Sequence, residues 1–409
     1  MKVELLYPDR YIPSTEGGGR TYLDEADKAI IDYRNLSRHQ FCILSFEDKP
    51  SDFENGENLQ WIRIRPPLNE RLRGEKAYLW RKFVLRHRKP VTFSEWRLAE
   101  ERERSGIECA LITRPQSRGP SNIPYIATVW DLEHRKKPMF PEVSAKGELE
   151  HRENHYKDHL GKAARILVGT PEGKREIEAF YCIPAERISV VPMPTPAFAL
   201  DGANDEGSRP ESIPEALTGR FVYYPAQFWP HKNHVALLRA LCVLKEKWSI
   251  EVPVVFTGSD KGNLSFVQKT AEALGIRSQV YFPGFVSREE LIWLYRHSLA
   301  LGYVSLFGPD NLPPLEAFAL GCPVIAARLQ GAEGQLGDAV LFVDPRDEGE
   351  IAEAIKRVRS DSEFREELIR KGKDRAAANT PRHYAERIFA VLDDLELYRR
   401  CWGTGGSFT

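Results

Sequence analysis

The stretch LALGYVSLFGPDNLPPLEAFALGCPVIAA, Leu299–Ala327, decides how the chain is read. Ala300–Phe307 is an apolar run of strand length. Gly308-Pro309-Asp310-Asn311 is turn chemistry. Pro313 suits a first helical turn, where its missing N–H costs nothing. Gly321 closes that short helix, and Pro323–Ala327 reads as a second buried strand. The spacing therefore predicts a helix N-terminus at the carboxyl end of a strand, preceded by a polar loop. Such a place favours a phosphate or a hydroxyl-rich sugar. Glu316, in the first turn, can hold a vicinal diol with its two oxygens. An ordinary βαβ unit with a solvated Glu would give the same spacing.

Working outward, the same alternation of strand and helix recurs. Upstream, Phe221–Tyr224, Pro253–Thr257 and Gln279–Phe282 read as strands, and Leu341–Asp344 follows downstream. Pro225–His234 leads from the first of these into a helix to about Lys247. Lys232 falls at that helix's start, where the dipole disfavours a cation unless an anion is present. Gly258–Asn263 forms a glycine-containing loop, and Ser287 with Glu290 makes a capping box before a helix Leu291–His297. The first half repeats the pattern, with strands at Val3–Tyr7, Phe41–Ser45, Leu59–Ile64, Ile107–Ile112, Ile123–Val129, Arg165–Gly169 and Ile188–Pro192. Pro13–Arg20 holds Gly17, Gly18 and Gly19, with a helix expected from about Tyr22 to Tyr33. Strand, glycine-rich loop, helix lets backbone approach a phosphate closely. It is neither GxGxxG nor a Walker loop, so a nicotinamide dehydrogenase is disfavoured.

Regular βα alternation implies mostly parallel, doubly wound sheets. Composition breaks at Asp201–Gly219, rich in Gly, Pro, Ser and acids, which reads as a linker. The expected organisation is a first α/β domain over 1–200, a linker over 201–219, and a second α/β domain over 220–380. A C-terminal helix and tail follow over 381–409. Arg71–Lys89 is a basic, partly amphipathic segment that suits an anionic lipid surface or a plain solvated helix face. His151, His155 and His159 recur every four residues, a pattern expected of a solvated helix rather than of a zinc site.

The chain has 409 residues and a net charge of −1, which argues against a general nucleic-acid binder. Its six cysteines form no CxxC pair and fit reduced thiols in the cytoplasm. No signal peptide and no membrane-spanning run is expected.

The Leu312–Ala317 segment, LPPLEA, resembles the second half of the signature of family-4 glycosyltransferases, retaining enzymes of the GT-B fold. The resemblance extends over nearly the whole chain and is weakest between about Gln40 and Pro120. It implies two Rossmann-like domains facing a central cleft, with the last helix crossing back to the first. It further implies that Glu316 binds the donor ribose and that the loop Gly308, Pro309, Asp310, Asn311 and Leu312 holds the donor sugar. Lys232 would grip the pyrophosphate. Gly17, Gly18 and Gly19, with Arg20 beside them, would face donor phosphates and acceptor. Gly258 would belong to a second glycine loop, with Phe285 and Val286 at the base. Three positions depart from the family. Gly308 stands where the signature has its first Glu, Gln227 where an Arg often accompanies the Lys, and Trp130 where a His near the sugar is common. Trp130, Asp131, His134 and Arg20 are thus the candidates for sugar or acceptor contact, and Lys232, Glu316 and Asp131 for the chemistry.

The expected activity is retaining transfer of a sugar from a nucleotide-diphosphate sugar (GDP, UDP or dTDP) to a glycan or lipid-linked hydroxyl. The expected setting is bacterial surface polysaccharide synthesis. The resemblance implies neither a metal nor a cofactor, and a cytoplasmic location with Arg71–Lys89 touching the inner membrane face. Two other classes fit the same fold: an epimerase or phosphorylase on the same donor, and an inactive nucleotide-sugar-binding protein. Product analysis separates the first, and binding without transfer marks the second.

Overall fold

A computed structural model describes residues 1–6, 17–50, 53–64, 93–115, 117–308 and 310–401. Arg71–Lys89 and Pro309 lie outside the described residues, as does the side chain of Arg20.

The apolar runs become two parallel sheets. The first contains β1 (Lys2–Leu5), β2 (Gln40–Ser45), β3 (Leu59–Arg63), β4 (Cys109–Leu111), β5 (Tyr125–Val129), β6 (Arg165–Val168) and β7 (Ile188–Val190), in the order β3-β2-β1-β4-β5-β6-β7. The second contains β8 (Val222–Pro225), β9 (Val254–Thr257), β10 (Val280–Gly284), β11 (Ala300–Tyr303), β12 (Val324–Ala327) and β13 (Val340–Val343), in the order β10-β9-β8-β11-β12-β13. Every neighbouring pair is parallel, as between Leu301 and Val324. A parallel sheet is covered on both faces, and β5, β9, β11 and β12 are buried at every residue. Both sheets follow one plan, and each reverses its winding beside its first strand, at β1/β4 and at β8/β11. Ligands of open α/β sheets bind beyond the strand carboxyl ends at such a reversal. The arrangement agrees with the expected two-sheet α/β fold.

Several elements differ from expectation in extent. The strand read as Ala300–Phe307 ends at Tyr303. The amide of Leu306 leaves the ladder for the His231 carbonyl at 2.8 Å, and Ser305 Oγ accepts from the amide of Phe307 at 3.3 Å. The glycines read as a loop form the first turn of a helix, Gly17–Asp32. Glycine is least costly at a helix end, where amides have no intrahelical partner to lose. The acidic 201–219 stretch is not slack chain. Its Ile213 is fully buried, and the amide of Ser208 donates to the Glu289 carbonyl at 3.1 Å.

The final helix, Pro381–Arg399, starts on a capping box at Thr380 and packs on the first half. Phe389 lies 5.7 Å from Phe41, Arg38 pairs with Asp393 at 2.7 Å, and Arg399 with Glu108 at 2.9 Å. His39, Asp393 and Glu396 gather there with metal-ligand types, but Arg38 already compensates both carboxylates. Among the described residues no helix is long and apolar enough to cross a membrane.

Candidate active site in the cleft between the sheets

The loops at the carboxyl ends of the two sheets enclose a cavity of about 1240 Å³. Trp130, Asp131, Gln227, Lys232, Gly258, Phe285, Val286, Gly308, Asp310, Asn311, Leu312 and Glu316 all line it, so these sequence candidates converge.

Glu316 sits on the helix Leu312–Ala319, 7% exposed. Its Oε2 accepts from the Tyr295 hydroxyl at 2.6 Å. Burial pushes its carboxyl up to about 7, the Tyr295 bond opposes this, and Glu25 adds to it. A carboxylate this desolvated gains much from diol hydroxyls. The helix start contributes less than its position suggests. Pro313 and Pro314 have no N–H, so two of its four unpaired amides are missing.

Lys232 belongs to a 3-10 turn, Pro230–Lys232, and not to the helix itself, which begins at His234 after Asn233 in left-handed conformation. Its Nζ donates to the Tyr303 hydroxyl at 3.0 Å. Tyr303 donates on to Asn311 Oδ1 at 2.7 Å, and Asn311 Nδ2 to the Gly308 carbonyl at 2.6 Å. A chain of hydrogen bonds thus sets the lysine and the Gly308–Leu312 loop relative to one another. The Tyr224 hydroxyl holds the Lys232 carbonyl at 2.8 Å.

Gln227 has both ends of its amide occupied, donating to Ser259 Oγ and accepting from Trp229 Nε1, each at 3.1 Å. It forms a neutral wall where the resembling family often carries an Arg. Gly258, with φ of 139°, lies against this wall so tightly that a Cβ would meet the Ala226 carbonyl oxygen at 2.5 Å. Phe285 is 61% exposed and offers an apolar plate at the rim.

Asp310 Oδ1 accepts from Gln335 Nε2 at 2.5 Å, and its other oxygen rests on Gly169 of the first sheet, where any Cβ would overlap it. Burial raises the Asp310 carboxyl to about 7. On the first-sheet side, Asp131 Oδ1 accepts from the Glu133 amide at 3.0 Å, just ahead of the turn Glu133–Lys136.

His134 does not join the cavity. That turn carries its ring inward, fully buried, beside Tyr156 at 5.6 Å and 3.5 Å from Glu153. Burial, with Arg152 assisting, lowers its pKa and keeps it neutral. Tyr295, Tyr303, Gln335, His231 and Glu142 were missed. The two tyrosines end apolar elements and look like core in sequence; Glu142 sits in a polar stretch with no periodic signal.

The geometry defines a class, two Rossmann-like parallel-sheet domains facing a cleft, the GT-B fold. Solved structures agree. The chain superposes on a sucrose-phosphate synthase from Thermosynechococcus elongatus with a TM-score of 0.68 at 16% identity, covering 97% of this chain and 99% of that one. It superposes on HepE of Anabaena, solved with UDP, with a TM-score of 0.64 at 15% identity over 96% and 100%. Residues 207–375 match the family described as glycosyl transferases group 1. It is 25% identical over 237 residues to the O-antigen chain mannosyltransferase B of Escherichia coli. That match spans 57% of this chain and 61% of the relative, under two thirds of its length.

Proposed function

We propose that the protein is a retaining glycosyltransferase. It moves a sugar from a nucleoside diphosphate sugar to a hydroxyl of a glycan or lipid-linked acceptor during bacterial surface polysaccharide assembly. The observation that carries the reading is Glu316, a nearly buried carboxylate with one hydroxyl partner, facing the same cavity as Lys232. The UDP bound to the HepE relative and the O-antigen role named for the E. coli relative support the donor class and the setting.

In this reading Glu316 holds the ribose diol, and Phe285 with Val286 lies against the base. Lys232 pairs with the diphosphate, stabilising negative charge as it grows on the leaving group. The Gly308–Leu312 loop holds the sugar, and Asp131 with Trp130 faces the acceptor. The protein supplies position and charge, and no side chain needs to become a covalent nucleophile. Transfer without a metal and contact of Arg71–Lys89 with anionic lipid are the finer parts of the proposal, resting on resemblance and composition.

The test is transfer from a panel of GDP-, UDP- and dTDP-sugars to glycan acceptors, read by NMR of the anomeric proton. One donor is expected to give a glycoside with the donor's anomeric configuration, with a rate unchanged by EDTA. An inverted anomer contradicts retention. An epimerised donor or a free sugar phosphate replaces the proposal by the epimerase or phosphorylase reading.

A further inference from the structure

We propose that Glu142 and Phe140, both from the first half, are positioning residues for the donor site of the second half, gripping the loop that carries Lys232 and the loop that precedes Glu316. The inference rests on the glycosyltransferase reading for what those loops bind, and on geometry alone for the grip.

The segment after β5 reaches across the cleft. Glu142 Oε1 accepts the backbone N–H of His231 at 3.0 Å and also the ring N–H at its Nδ1. Both side chains are nearly closed off from water, 12% exposed for His231 and 7% for Glu142. The His231 ring stacks on Phe307 at 4.3 Å with planes 11° apart. Phe140 meets the edge of Phe307 at 4.9 Å. Lys137 donates its ammonium to the Leu306 carbonyl. The loops after β8 and β11 are therefore joined to each other, Leu306 N–H to His231 carbonyl at 2.8 Å, and both are held from the far side.

The chemistry of the grip is specific. Burial pulls the His231 ring down to about 4, Glu142 opposes this, and Lys232 assists it. The ring is neutral near pH 7, and donating from Nδ1 fixes its tautomer. Lys232 stays the cation of the turn, one residue from the held amide. Its Nζ direction depends on a backbone that Glu142 holds and a Tyr303–Asn311 chain that begins on the other loop. Glu142 and Phe140 both belong to the first half, so the turn that carries Lys232 is fully held only when that half is against it.

Kinetics of Glu142→Ala, Glu142→Gln and Lys232→Ala, singly and combined, test this in the full chain, with amide hydrogen exchange over residues 229–233. Glu142→Ala is expected to lower kcat/KM for the donor sugar about tenfold and to leave the acceptor KM within about twofold, as a small misplacement of a binding group does. Gln keeps an oxygen that accepts both N–H groups and restores most of the loss. In the Lys232→Ala background the alanine costs less than about twofold, because the group it positions is gone. Exchange of the His231 amide accelerates in Glu142→Ala with no ligand present, whether or not a donor has been found. A glutamine as damaging as alanine, a full tenfold loss on top of Lys232→Ala, or unchanged exchange at His231 overturns the proposal. A wild type that consumes no nucleotide sugar removes the functional reading, while the exchange result still decides whether the grip exists.

Discussion

The two rims of the cleft are built differently. The second-sheet rim is tied within itself: Glu316 to Tyr295, Lys232 to Tyr303 and on to Asn311 and Gly308, Gln227 to Ser259. The first-sheet rim reaches across instead, through Glu142 to His231, Lys137 to Leu306, and Gly169 against Asp310. Those internal bonds hold Glu316 and Asn311 without the first half, while the turn that carries Lys232 is also gripped from across the cleft. A rim made of contacts over the gap forms only when the halves meet, which suits a site that admits a second substrate and then excludes water. On the proposed function, the difference assigns preorganised donor binding to one half and commitment to reaction to their contact.

Separating the halves is expected to have the larger effect. Gly169→Ala puts a methyl group into the Asp310 carboxylate, which Gln335 keeps from swinging away. The halves part or the Asp310–Gln335 bond breaks. We expect kcat to fall on the order of tenfold or more and nucleoside diphosphate affinity to fall by less, since Glu316 stays wired within the second half while Lys232 loses its grip from the first. Equal loss of both would show that the second rim is not self-sufficient.

A smaller effect sharpens the other side of the comparison. Tyr295→Phe removes the hydroxyl that donates to Glu316. The carboxylate loses its stabilising partner, so its carboxyl, already raised to about 7 by burial, rises further. Ribose hydroxyls donate to the ionised form, so affinity grows as pH rises through the folded pKa and falls below it. The variant is expected to bind a few-fold more weakly at pH 7, with the midpoint of its affinity profile moved upward. Calorimetric titrations between about pH 5.5 and 8.5 read both, and a superimposable profile would count against Tyr295. The stability sign is opposite. An acid with a raised folded pKa costs stability on ionising, so that cost enters as pH climbs from 4.5 and is complete above about 7.

What was legible in sequence follows the same division. Strands β8 to β13 announce themselves because each is a short apolar run bounded by Gly, Pro or a cap, and Pro313 and Gly321 bracket the Glu316 helix by local rules alone. Lys232 and Glu316, which both line the cavity, could be named because the resemblance attaches to local motifs. The first rim could not be read this way. His134 is one helical turn past Trp130, yet the turn begins at Glu133 and aims it into the core, which no spacing encodes. Gly17–Gly19 look like a loop because glycine is a poor helix former, but a helix end tolerates them. Glu142 and Gly169 matter through partners 89 and 141 residues away, and periodicity carries no information at that range.

The central claim is that Glu316 and the second rim bind a nucleoside diphosphate. Titration calorimetry of UDP, GDP and dTDP into wild type and Glu316→Ala at pH 6 and pH 8 tests it most directly. The account predicts that one of the three binds wild type, more tightly at pH 8 than at pH 6. Alanine is expected to lose about a hundredfold or more, roughly 2.7 kcal/mol. No binding by any of the three, or binding indifferent to both Glu316 and pH, would contradict it.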